Sequence, residues 1–187
     1  MEAAIQKNIQ QVSEKILQAA QSAGRDASQV KLVIVTKAQP IEIVKSVIEA
    51  GAKILGENYP DESVPKINML GRPNGLAWHM IGHLQSRKVA MVADSFDVLQ
   101  SLDSLRLAEK LEKQLAERQK VMPVMIECNV GGEESKNGWP AWDNQRWNVL
   151  IPDIEAILAL KQLRVSGLMT MPPWNADPEQ SRPYFIG

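Results

Sequence analysis

Apolar positions along the chain follow two alternating rhythms. Ile5, Ile9, Val12, Ile16 and Leu17 recur at helical spacing, so the first two dozen residues read as an amphipathic helix, and Gly24 is placed to end it. Residues 30–36 change rhythm. They are mostly β-branched and read as a buried parallel strand, with Lys37 at its C-terminal end. Pro40 opens a second helix with Ile41, Val44, Val47 and Ile48 on one face. Gly51 stops that helix, and residues 52–56 form a second short strand.

The alternation continues to the end of the chain. Residues 61–70 are helical despite Pro65, 76–81 are strand-like, 85–92 helical, and 95–99 a fourth strand. Ser101 or Asp103 caps a long helix that runs to Gln119, with Leu105, Leu111 and Leu115 inward. Residues 121–130 form a fifth strand, 142–160 are helical in part despite Pro152, and 165–170 form a sixth strand. Strands alternating with helices indicate βαβ units and a parallel sheet in one domain over 1–187. The sheet is either an open doubly wound sheet or a barrel; six strands do not decide between them.

Composition narrows the class. With 187 residues, 44% of them hydrophobic, the chain suits one globular domain with a real core. A formal net charge of −1 argues against a nucleic-acid binder driven by a basic surface. Cys128 is the single cysteine, so no intrachain disulfide forms, and the chain reads as cytoplasmic. The N-terminus lacks the pattern of a signal peptide, and no apolar run reaches the roughly 20 residues of a membrane span.

Ligands of α/β proteins sit at the C-terminal ends of the strands. Polar groups there are Thr36 and Lys37; Glu57, Asn58 and Tyr59; His79, His83 and Gln85; Glu127, Cys128 and Asn129; and Thr170 after Met169. Lys37 is the sharpest. An amine desolvated at the end of a buried strand loses its proton more readily, and a neutral amine condenses with an aldehyde to a Schiff base. On position alone, a lysine that snorkels to solvent is the commoner case. His79 and His83 are the only histidines; structural roles outweigh a shared metal, because a glycine separates them and His79 lies in a strand. Cys128 reads as a buried inert thiol rather than a nucleophile. Residues 131–138 form either a mobile loop over a site or a solvated turn. Trp139, Trp142 and Trp147 suggest a helix packed on the outside of the sheet, with stacking on a ligand as the other reading.

Taken in order, these segments resemble the YggS/PROSC-type pyridoxal phosphate homeostasis proteins, whose fold is the TIM-barrel-like (β/α) barrel of the alanine racemase N-terminal domain. The strand ending in Thr36-Lys37 resembles the one that carries the family's pyridoxal 5′-phosphate (PLP) lysine. The run from Gly56 to Tyr59 matches the GENY segment, and Trp78 to Lys88 the WHxIGxLQxNK segment. The Ser135-Lys136-Asn137-Gly138 core matches the family loop, and Gly167 to Met171 matches the GLMxM strand. The resemblance implies that Lys37 holds PLP as a Schiff base, with Asn58 beside the ring and His79 and Met169 lining the barrel around it. Lys136 is then a loop lysine near the site. The family lacks the partner tyrosine base of a racemase, so the resemblance implies PLP homeostasis without racemase turnover, with PLP-dependent apoenzymes as acceptors. The family is expected to be monomeric.

This sequence departs from the pattern. Gln39 stands where a second lysine is usual, and Arg87 where asparagine is usual. After residues 178–185 the family continues with a helix and two further strands that close the barrel and supply phosphate-binding groups; those strands are not assignable here. The expectation is therefore a barrel apparently lacking its last two strands. Its open edges would favour self-association, and its PLP affinity would be weaker than that of a complete member. Truncation, strands supplied by another chain, and a different role on a degraded scaffold all remain open. The functional alternatives are a PLP-dependent racemase-like enzyme, which needs an acid/base group opposite Lys37, and an inactive scaffold or interaction protein.

Overall fold

The computed structural model describes residues 2–175 and 177–186, apart from the side chains of Asn144, Trp147 and Val149. It divides into two compact units, Met1–His79 and Met80–Gly187.

The first unit carries α1 (Glu2–Ser22), β1 (Ile34–Val35), α2 (Ile41–Glu49), β2 (Ile54–Glu57), α3 (Pro60–Leu70) and β3 (Ala77–Met80), whose last residue opens the second unit. β1 and β2 are parallel, with Ile34 beside Leu55 and Val35 beside Gly56. β3 follows β2 in the sheet, and Ala77 N donates to Lys53 O at 2.9 Å. Val44, Val47, Leu55, Ile67, Leu76 and Trp78 form the buried core. The Trp78 indole donates to Gly71 O at 2.9 Å, tying the strand to the end of α3.

Two expectations are corrected here. The strand over 30–36 shrinks to two residues. Asp26 caps a 3₁₀ turn over Ala27–Gln29, which Val30 closes onto Ala27 O, so the first part of the run is spent on that turn. Val35 is 49% exposed, so β1 is not buried on both faces. The apolar stripe of α1 is only partly covered: Ala20 is its one buried residue among those described, and Val12 and Leu17 are exposed. Ile9 and Ser13 border a groove of about 440 Å³ lined also by Val30, Leu32, Ile34, Ala52 and Ile54.

The second unit carries α4 (Val89–Ser95), β4 (Val98–Leu102), α5 (Leu105–Glu117), β5 (Met122–Asn129), β6 (Trp139–Pro140), α6 (Trp147–Leu158) and β7 (Leu163–Thr170), then a 3₁₀ stretch over Pro178–Phe185. β5 is its centre. β4 pairs along one edge, Leu99 beside Val124 and Leu102 beside Ile126. β7 pairs along the other, from Met122 beside Leu163 to Cys128 beside Thr170. Beyond the end of β4, β6 joins β5 with Trp139 beside Cys128, a seventh strand that the periodicity does not show. Burial along β5 alternates as a half-buried strand requires, with Met122, Val124, Ile126 and Cys128 buried. Leu107, Ala108, Leu111 and Leu115 bury one stripe of α5.

Two boundaries shift in this unit. α4 runs through Ser95, so β4 starts three residues later than expected. Ser104, not Ser101 or Asp103, caps α5: its hydroxyl accepts from Leu107 N at 3.3 Å. Glu112 of α5 accepts from Lys161 N at 3.0 Å and Gln162 N at 2.8 Å, which fixes the entry to β7. Trp139 lines a wholly apolar cavity of about 100 Å³ with Ile126, Cys128, Ala141, Leu150, Ile154 and Leu168, so it packs α6 against the sheet as expected. Trp142 lies with its ring against Gly132. The expectation for Trp147 lies outside the described side chains.

Candidate functional site

The sheet pleat decides which side chains of the first unit can meet a ligand. Thr36 and Glu57 face each other across β1 and β2: the Thr36 hydroxyl donates to Glu57 Oε1 at 2.7 Å. α3 lies on that side, because its Ser63 hydroxyl donates to Glu57 Oε2 at 3.0 Å and its Lys66 ammonium reaches Glu57 Oε1 at 3.3 Å. Trp78 is on the same side through its bond to Gly71. His79, next along β3, therefore falls on the opposite face, while Asn58 lies in the bend just past the end of β2. Lys37 leads out of β1 in a turn at that edge, which Gln39 N closes onto Thr36 O at 3.2 Å. Ala38 holds φ +58° in this turn, a backbone that alanine adopts rarely. The structure thus brings Lys37, Asn58 and His79 to one edge of the first unit.

Their surroundings differ. Lys37 is exposed, Asn58 half-buried and His79 buried. The desolvation expected at Lys37 is not supplied, because the residue sits past the last ladder position, in the turn rather than the strand. Its amine is open to approach from solvent.

Met169 lies in the second unit as the register partner of Glu127. Burial pushes the Glu127 carboxyl above its ordinary range; the Asp103 charge pushes in the same direction and His83 opposes it. Glu127 Oε2 is buried with no hydrogen-bond partner. His83 is bound through Nδ1 to Asp103 Oδ2 at 2.9 Å, and the Ser101 hydroxyl donates to Gly82 O at 2.5 Å. Asp103 and Ser101, which look like helix caps in the sequence, instead fix the segment after β3. Burial, then Glu127, raises the Cys128 thiol, which fits the inert reading.

Of the two readings for residues 131–138, the structure favours a built turn. Asn129 Oδ1 accepts from Gly131 N at 3.2 Å and Gly132 N at 3.0 Å, while its amide donates to Glu133 O at 2.9 Å. Lys136 pairs with Glu133 and donates to Met171 O at 2.9 Å. At Gly138, φ is +100° and a Cβ would stand 2.7 Å from Glu127 O, so only glycine fits there.

The comparisons with known proteins bear on this arrangement. The chain matches the family model described as alanine racemase, N-terminal domain, over residues 2–185. The pyridoxal phosphate homeostasis protein of Pasteurella multocida is 37% identical over 169 residues, which is 90% of this chain and 70% of that protein. This chain belongs to the pyridoxal phosphate homeostasis protein family. Its fold class is accordingly α/β, of the TIM-barrel-like alanine racemase N-terminal-domain type, as the motifs imply. An uncharacterised protein from Bifidobacterium adolescentis superposes with a TM-score of 0.85 at 31% identity, covering 98% of this chain and 76% of that one. PipY of Synechococcus elongatus, solved with PLP bound, gives a TM-score of 0.66 at 27% identity, covering 84% of this chain and 75% of that one. Among the described residues, no helix is long and apolar enough to cross a membrane.

The hub of Thr36, Glu57, Ser63 and Lys66 escapes a reading of strand ends for ligand-facing groups. Its signal is the charge of Glu57 at the end of the apolar run Ile54-Leu55-Gly56.

Proposed function

We propose that this protein binds PLP for cellular PLP homeostasis, holding it covalently on Lys37 and releasing it to PLP-dependent apoenzymes without amino-acid turnover. The observation that carries the proposal is the accessible Lys37 amine at the C-terminal end of β1, on one edge with Asn58 and His79. Family membership and the PLP-bound structure of PipY support it. An exposed amine in a fixed turn fits an aldehyde ligand that enters from solvent. In this reading the Lys37 amine would condense with the aldehyde, a C=N bond replacing C=O with loss of one water and no redox partner. Asn58 and His79 would offer polar contacts. Bound PLP would supply a masked aldehyde, kept from uncontrolled reaction with other amines.

The domain reading goes with this proposal: one PLP-binding domain over 1–187, supported by a family match that runs from residue 2 to residue 185. A cytoplasmic location is proposed on the single free cysteine, Cys128.

The test is an absorbance spectrum of the purified chain with added PLP, before and after borohydride, with Lys37→Ala as control. A shifted band that borohydride traps as a covalent adduct on the Lys37 peptide, absent from the variant, is the expected result. Equal trapping by Lys37→Ala, or no band from a chain that is folded by circular dichroism, would overturn the proposal.

A further inference from the structure

We infer that Glu57 is the positioning residue of the Lys37 site, a buried carboxylate that sets how the neighbouring Lys37 and Asn58 are presented. The inference rests on the reading of Lys37 as the PLP-bearing residue. Glu57 is fully buried. A carboxylate in that environment is costly unless donors surround it. Three do, each from a different point of the chain: the Thr36 hydroxyl at 2.7 Å, the Ser63 hydroxyl at 3.0 Å and the Lys66 ammonium at 3.3 Å.

Each donor holds a piece of the site. Thr36 is the residue before Lys37, and Glu57 the residue before Asn58. Ser63 also lies 2.7 Å from Tyr59 O; its single hydroxyl proton is shared between that carbonyl and Glu57, which ties the first turn of α3 to the end of β2. Lys66 also donates to Thr36 O at 3.3 Å. That carbonyl is the one onto which Gln39 N closes the turn containing Lys37 and Ala38. The positive φ of Ala38 is unfavourable for a residue with a Cβ and persists only where its surroundings enforce it. The Glu57 hub grips both the hydroxyl and the carbonyl of the residue that begins this turn.

For stability alone, a well-packed apolar group would serve the Glu57 position as well as a buried ion pair. What an apolar group would not do is bind Thr36, Ser63 and Lys66 at once. The Lys37 turn would then be free to relax, and a misdirected amine meets its aldehyde less often and holds it less well.

The experiment compares the full chain with Glu57→Gln, Thr36→Val and Thr36→Ser, using PLP as the probe. The readouts are the apparent dissociation constant, the rate of borohydride-trappable adduct formation at Lys37, and Tm. Glu57→Gln and Thr36→Val are expected to weaken PLP binding by about tenfold, the scale seen when an outer support of a binding residue is removed. Thr36→Ser, which restores the hydroxyl, is expected to return binding and trapping rate to the wild-type values. Thr36→Val keeps the ion pair and nearly the same shape, so it tests the hub even where Glu57→Gln does not fold. A Thr36→Val chain that binds and traps PLP like wild type, with only Tm lowered, would overturn the inference. Wild type that traps no PLP at Lys37 would instead overturn the reading beneath it.

Discussion

Glu127 couples one side chain to the pH dependence of the whole second unit. Its carboxyl is raised above the ordinary value of 4.5 by burial, then by the Asp103 charge, with His83 opposing. A carboxyl whose folded value exceeds its unfolded value favours the fold when protonated. That contribution is complete below about pH 4.5 and is lost as pH rises through the folded value. Glu127→Gln is neutral throughout and escapes the loss. Because Glu127 is only half-buried, solvent screens part of the effect. The expected outcome is a Tm above wild type at pH 7, with the gap closing as pH falls. Denaturation curves of both chains at a series of pH values would check this, and parallel curves would refute it. At this scale the sequence was partly legible. Lys37 and Cys128 could be singled out from their places at strand ends. The Glu57 hub could not, because its meaning depends on Lys66 and Thr36, which sit 9 and 21 residues away in the chain.

Among the elements, α5 is the one whose sequence rhythm and structure agree best. Its inward stripe, read as Leu105, Leu111 and Leu115, is observed as Leu107, Ala108, Leu111 and Leu115, with Leu105 only half-buried. Leu111 is fully buried, so Leu111→Ala should cost about 2–5 kcal/mol. Chemical denaturation would measure it; a loss under about 1 kcal/mol would mean that the stripe is not packed as described. β1 and β4 show where reading by rhythm fails. The apolar run before Lys37 suits a long strand, yet Asp26 and Ser28 offer hydrogen bonds that turn the chain first, and only Ile34 and Val35 join the ladder. The start of β4 is displaced because α4 holds Ser95 through its last turn. β6 has only two residues and no alternation to detect; it exists because Gly138 lets the chain pass against Glu127 and bring Trp139 beside Cys128.

For the molecule as a whole, ordered motifs carried more than any periodicity. Six strands left an open sheet and a barrel equally available, and five short segments in family order resolved the fold class that the family match shows. The remaining choice is between a carrier and an enzyme. A racemase of this fold needs a second acid/base group opposed to its lysine. The chain holds only two tyrosines. Tyr59 precedes α3, is half exposed, and contributes its carbonyl to Ser63. Tyr184 lies in the 3₁₀ stretch over Pro178–Phe185. On the proposed carrier reading, neither tyrosine serves as that base. The chain loaded with PLP is therefore expected to leave L-alanine unchanged in deuterium oxide, with no label entering at Cα by mass spectrometry. The same loaded chain should hand PLP to an apoenzyme and restore its activity. Label incorporation that scales with protein and disappears in Lys37→Ala would replace the carrier reading with an enzymatic one, since only a lysine-bound cofactor and a competent base together could exchange that proton.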